Sequence, residues 1–141
     1  MSAYSRNMQL AAYQSVAVHG GVAQDDPHRL VLMLMDGAMQ RIAAARGCIE
    51  RGDRAQKAQM LQRSLAIIDE LRASLDPQVG GALSQNLADL YDYMGRQLIR
   101  ANVEDRSSSL DEVLGLMTEI RGAWAAIGPA AAAPPAVPRQ G

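Results

Sequence analysis

A single all-α domain is what this sequence predicts: an antiparallel up-down four-helix bundle, preceded by a short N-terminal helical arm and followed by a disordered Ala/Pro-rich C-terminal tail. Three observations carry that expectation. The chain is 48% hydrophobic yet only 4% aromatic, with eight Met and no Phe. Its core is therefore aliphatic, and the scarcity of β-branched and aromatic residues favours helices over sheets. Four segments repeat apolar residues at the three-and-four spacing of a helix. Short groups of helix-stopping and helix-capping residues separate them, and short connections make successive helices antiparallel neighbours. A length of 141 residues suits one core, divided as an arm over 1–21, a bundle over 22–128 and a tail over 129–141.

The arm carries Met8, Leu10, Ala11, Ala12, Tyr13 and Val16 before Gly20-Gly21. A helix of that length is marginal in water, so packing on the main body must hold it. The first long helix opens at Asp26-Pro27, where Asp26 caps free amides and Pro27 occupies a position that needs no donor. It runs through Leu30 to Met35 as far as about Arg51, and Gly52 stops it. Asp53, with Gln56 three residues on, caps the second helix. Its face holds Met60, Leu61, Leu65, Ile67, Ile68, Leu71 and Leu75, and Asp76-Pro77 ends it, because a residue before Pro is pushed out of the helical region. Val79-Gly80-Gly81 reads as a flexible turn.

The third helix spans about Ala82 to Val103, with Leu83, Leu87, Leu90, Met94, Leu98 and Ala101 in one stripe. Tyr91 borders that stripe, and Asn86, Asp92 and Asn102 lie beside it although packing requires none of them. Polar groups kept next to an apolar stripe suggest a binding surface. Ser109 with Glu112 reads as a capping box that opens the fourth helix. Leu110, Val113, Leu114, Met117, Ile120, Trp124 and Ile127 form its face.

A net charge of −1 and a pI near 6.1 leave no electrostatic footprint for nucleic acid. No apolar run approaches the roughly 20 residues a bilayer requires, so no membrane insertion is expected. The N-terminus lacks the pattern of a signal peptide, and a lone Cys48 fits a reducing compartment. The cytoplasm is the expected location.

Catalysis finds no support. His19 and His28 are the only histidines, and capping explains the neighbouring Asp25 and Asp26, so no metal is expected. Cys48 has no placed base and reads as a structural thiol. Neither Gly20-Gly21 nor Gly80-Gly81 forms a phosphate-cradling loop. The expectation is no enzyme, no catalytic residue and no cofactor.

The apolar faces are wide. That of the second helix spans about 160–180°, against a minimum near 100°. In the first helix Leu32 and Met39 face away from Leu34, Met35 and Ile42. Contact with two neighbours widens any bundle helix, but the excess, and the adaptable Met side chains, point to a second apolar surface needing cover. Covering about ten large apolar side chains would yield on the order of 15–30 kcal/mol gross. Ordering a client would consume much of that, leaving the affinity of a chaperone or adaptor.

The residues quoted so far, in their order and spacing, resemble the flagellar secretion chaperone FliS family. The likeness runs from about Ala12 to Trp124 through Ala12-Tyr13-Gln14, Pro27-His28-Arg29-Leu30, Asp36-Gly37-Ala38, Ile67-Ile68-Asp69, Asn86-Leu87, Leu90-Tyr91-Asp92-Tyr93-Met94, Leu98-Ile99-Arg100-Ala101-Asn102 and Ala123-Trp124. Met35 stands where the family usually has Tyr. The resemblance implies a helical bundle that holds the C-terminal region of flagellin, prevents its premature polymerisation and supports its secretion during flagellum assembly. It also allows the flagellar export gate or an anti-sigma factor as further partners. The flagellin-binding residues it suggests are Tyr13, Leu34, Met35, Met39, Asn86, Leu87, Tyr91, Leu98 and Asn102. The alternative is a self-associating regulatory or structural bundle, whose wide stripes would form a homodimer interface.

Overall fold

A computed structural model describes residues 26–128. They form four long helices and one single turn: α1 Pro27–Arg51, α2 Arg54–Ala73, α3 Pro77–Gly80, α4 Ala82–Glu104 and α5 Ser107–Ile127. Among the described residues there is no strand, and the all-α expectation holds. The expected arm and tail lie outside the described residues.

Local chemistry sets most of the boundaries. The Asp26 carboxylate accepts from the Arg29 amide at 3.0 Å, with Pro27 at the first helical position. Gly52 ends α1 at φ 73°, in the left-handed region that glycine enters freely. The Asp53 carboxylate accepts from the Gln56 amide at 3.1 Å and opens α2.

Three boundaries differ from expectation. α2 stops at Ala73, before Asp76-Pro77, because Ser74 caps it, its hydroxyl donating to the Leu71 carbonyl at 2.7 Å. The segment expected to be a flexible turn is helical over Pro77–Gly80, since Asp76 accepts from the Gln78 amide and Pro77 again sits at the first position. The Ser84 hydroxyl then donates to the Asp76 carbonyl at 3.1 Å. Gly80 permits this approach, because a Cβ there would stand 2.0 Å from Ser84 Oγ. Finally, α5 begins at Ser107, and the expected cap Ser109 is a buried residue of its first turn. The chain has already reversed at Asp105, whose φ of 52° is left-handed, so Arg106, extended at φ −96°, takes the cap position.

Each long helix packs against two others, in the cyclic order α1, α2, α4, α5. Cross-helix pairs fix the antiparallel register. Between α1 and α5, His28 meets Trp124, Asp36 meets Arg121 and Arg46 meets Asp111. Between α2 and α4, Lys57 meets Asp105 and Arg72 meets Asp92. Tyr93 on α4 donates to Glu112 on α5 at 2.7 Å. Inside this frame Ile42, Leu61, Leu71, Met94, Leu98, Leu110 and Met117 are almost wholly buried, an aliphatic and Met-rich core without a buried Phe or Trp.

The two ends of the bundle are unlike. One holds the two-residue links Gly52-Asp53 and Asp105-Arg106. There Lys57, 4% exposed, donates to the Asn102 carbonyl at 2.9 Å and to the Asp105 carboxylate. At the other end α1 starts and α5 stops. The Trp124 indole donates to the His28 carbonyl at 3.0 Å, the His28 ring N–H donates to the Trp124 carbonyl at 2.6 Å, and the rings stack 5.0 Å apart. Trp124 lies in the last turn of α5, whose carbonyls lack intrahelical partners, so His28 acts as a cap from another helix.

Candidate client-binding surface

The candidate surface is the stripe on α4. Met94, Leu98 and Ala101 are completely covered, and Tyr91 is 4% exposed. One to two turns earlier Leu87 and Leu90 are half-buried, and Leu83, on the same side of the helix, is 66% exposed. The pattern that fills the core therefore continues beyond it into solvent. Val79 on α3, at 61%, and Ile127 at the end of α5, at 56%, are exposed at the same end. Ile99 and Val103 stand on the outward side of α4 and are also exposed. Large apolar side chains in water are what a binding surface presents.

The expected flagellin-binding residues divide by depth. Leu34, Met35, Tyr91 and Leu98 belong to the core. Met39, expected to face away from Met35, stands one turn after it on the same face and packs half-buried against that core, as does Leu87, and Asn102 is half-buried with its carbonyl engaged by Lys57. Asn86 is exposed, and Tyr13 lies outside the described residues. Burial pushes the Tyr91 phenol up to about 12, so its hydroxyl stays a donor at any physiological pH. Asp92, one of the polar groups beside the stripe, holds Arg72 through two hydrogen bonds of 2.7 and 3.1 Å.

Sequence pattern alone places Leu83 with its buried stripe-mates. What it lacks is where the neighbouring helices end, which decides how far the stripe is covered. Ile99 and Val103 did leave a signal: they are apolar, four residues apart and off the stripe. On α1, Leu32 is half-buried on the side of Met39, as is Met33, and Leu114 of α5 is likewise half-buried.

Among the described residues no three His, Cys, Asp or Glu side chains gather as a metal would need. A crevice of about 150 Å³ lies between the two short links, lined by Cys48, Ile49, Gly52, Asp53, Arg54, Lys57 and Asp105, but its buried ammonium is already engaged by Asp105 and Asn102. The Lys57 hydrogen bond holds the Asp105 carboxyl below the usual carboxylate range. The Glu112 hydrogen bond raises the Tyr93 phenol. These groups fasten helices together. No helix among the described residues is long and apolar enough to cross a membrane. What the arrangement offers a ligand is burial, with exposed Asn86 as a polar neighbour.

Comparison with known proteins places the chain in one family. The family model described as flagellar protein FliS matches residues 8–131. The flagellar secretion chaperone FliS of Salmonella typhimurium is 41% identical over 123 residues, covering 86% of this chain and 91% of the relative. The flagellar secretion chaperone FliSB of Pseudomonas aeruginosa is 40% identical, covering 79% and 89%. The FliS of Vibrio cholerae is 36% identical, covering 85% and 88%.

Proposed function

This chain belongs to the flagellar protein FliS family, and we propose that it is a flagellar secretion chaperone whose client is the C-terminal region of flagellin. One observation carries the mechanism: the α4 stripe that builds the core runs on through half-buried Leu90 and Leu87 to exposed Leu83. A client segment with apolar residues at helical spacing extends that stripe outward, as the bundle itself does inward. Leu83, Leu87 and Asn86 supply direct contacts. Met39 and Asn102 edge the neighbouring grooves, and Leu34, Met35, Tyr91 and Leu98 hold the surface from beneath. Tyr13, on the arm, competes for or completes the same apolar surface.

The action is competition by burial. A flagellin segment covered by the chaperone has no free apolar face for self-association, so excess chaperone keeps it monomeric in the cytoplasm. Release requires only a destination that binds better, such as the export gate, and no covalent step. An anti-sigma factor would compete by the same physics.

Titration calorimetry with the C-terminal segment of flagellin from the same source tests this reading. The expected result is saturable one-to-one binding with a negative heat-capacity change, the mark of apolar burial. Leu83→Asp should weaken it at least tenfold without lowering the melting temperature, because that side chain touches little in the free protein. A folded protein giving neither heat nor a change in size-exclusion mass would discard flagellin as the client. A mass that rises with concentration would instead favour the self-associating bundle.

A further inference from the structure

Ile99 and Val103 lie on the side of α4 turned away from the client surface, 54% and 76% exposed. Neither belongs to the core. Both are β-branched, which costs a helix side-chain freedom, so nothing in the free fold calls for them. From Leu83, Ile99 stands about 24 Å along the helix and about 160° around it. A ligand on one position leaves the other open.

The rim of this pair is positive. Arg96, one turn before Ile99, lies over the Tyr93 ring, 5.8 Å from its centroid, and among the described residues it pairs with no carboxylate. Arg100 approaches Glu104 only to 3.8 Å, while Arg106 holds that carboxylate at 2.9 Å. Arg four residues before Glu is also the weaker order for such a pair. The neighbouring carboxylates are taken: Asp92 by Arg72, Asp105 by Lys57 and Glu112 by the Tyr93 hydroxyl. Three guanidiniums therefore share Glu104, in a chain of net charge −1. The helix dipole attracts cations only to the last turn. Arg96 is two turns from the end of α4, so the dipole does not explain it.

Spacing identifies the occupant. Arg96, Ile99, Arg100 and Val103 fall at i, i+3, i+4 and i+7, the pattern by which one helix meets another. We propose that this face docks an acidic amphipathic helix of a second protein, its apolar side chains on Ile99 and Val103 and its Asp or Glu side chains on Arg96 and Arg100. The charge pairs fix direction and register, and burial of the apolar pair supplies attraction. Two apolar side chains and the Arg stems beside them cover far less than the roughly 800 Å² per partner of a standard interface. The docking is therefore transient, and a lasting dimer of this chain on the same face is disfavoured. The surface does not depend on which client the family reading supplies, and its partner can be held while a client occupies Leu83 and Leu87.

Charge exchange on the full chain tests this. The probe is a synthetic helix of about 20 residues, long enough to be helical alone, with Leu at i, i+4 spacing flanked by Glu. A second probe carries Lys in place of each Glu. The expected result with isotope-labelled protein is amide shifts from the Glu probe centred on Arg96 to Val103, weakening with salt. Arg96→Glu combined with Arg100→Glu should weaken the Glu probe roughly tenfold and turn the preference to the Lys probe. Val103→Asp should remove binding of the Glu probe and leave binding of the C-terminal segment of flagellin as in the parent. All three positions are exposed, so these variants keep the fold. Absence of shifts, shifts centred on Leu83 and Leu87, or equal binding of the two probes by the parent overturns the proposal. Weaker flagellin binding by Val103→Asp overturns it in favour of a longer client contact. Concentration-dependent shifts at Arg96 to Val103 without a probe overturn it in favour of a second copy. Binding to phosphatidylglycerol vesicles that Arg96→Glu abolishes overturns it in favour of a lipid surface.

Discussion

The link between α4 and α5 makes a prediction with a sign that intuition reverses: removing the buried lysine should cost less than neutralising its exposed partner. The Lys57 side chain is 5% exposed and that of Asp105 is 44% exposed. Lys57→Met deletes two hydrogen bonds from an ammonium, worth about 1.5–3 kcal/mol each. It also ends the burial of a charge, which returns several kcal/mol, and Met fills nearly the same volume. The two nearly cancel, so Lys57→Met should lie within about 1 kcal/mol of the parent. The Asp105 carboxylate left behind is simply hydrated. Asp105→Asn tolerates the left-handed backbone at that position and keeps an amide oxygen that can accept from Lys57, but it strips the buried ammonium of its countercharge, and it should fall further. The double variant should recover towards the parent, since no charge is then stranded. Urea unfolding of the three variants measures this directly. A Lys57→Met loss larger than that of Asp105→Asn, or a double variant equal to the sum of the two losses, would refute the reasoning. The pH dependence follows from the same pair. Lys57 lowers the Asp105 carboxyl from its ordinary 3.8, so its contribution is complete above that value and disappears as pH falls through the lower, folded value. Asp105→Asn should lose this acid-side slope.

Three further outcomes are expected. Leu98→Ala empties a site that is 0% exposed and should destabilise by about 2–5 kcal/mol, seen in urea; unchanged stability would remove Leu98 from the core. Trp124→Phe deletes the donor to the His28 carbonyl and should cost about 1 kcal/mol, or roughly 4–8 °C in melting temperature for a domain of this size, and an unshifted melt would mean the clasp contributes nothing. Gly80→Ala drives a Cβ to 2.0 Å from Ser84 Oγ and should cost about 1–3 kcal/mol; amide exchange should locate the loss at α3 and the first turn of α4, with protection elsewhere unchanged.

Much of the fold was readable because capping and periodicity are local. Asp26-Pro27, Gly52-Asp53 and the α4 stripe each reveal themselves within a few residues, and each stands where expected. The misplaced starts and stops share a cause. Ser109 with Glu112 is a sound local cap, but a contact 48 residues away, Lys57 on Asp105, supports a reversal four residues earlier. Pro77 reads locally as a stop for α2, although it also suits the first position of a new turn, and Asp76 uses it so. Depth was less readable than pattern. Leu83 and Leu98 occupy the same stripe, and only the ends of the other helices distinguish an exposed residue from a buried one.

That distinction bears on how such a protein can bind and still release. Leaving large side chains in water forgoes about 1.5–3 kcal/mol each relative to burial, a loss a small bundle tolerates only if its stability lies elsewhere. Here it does. The short links, the Lys57 clamp and the Arg46–Asp111 pair gather at one end, and the fully covered Met94, Leu98 and Ala101 occupy the middle of the α4 stripe. The exposed stripe lies at the other end, where its occupancy changes little of what keeps the helices together. A client seated on Leu83 and Leu87 would therefore gain affinity without opening the core and leave without closing it. Its dissociation rate would follow its own apolar contacts, and Leu83→Ala should raise that rate while leaving urea unfolding of the free protein unchanged. A variant that slowed release while weakening the fold would instead mean that binding and core packing are one equilibrium.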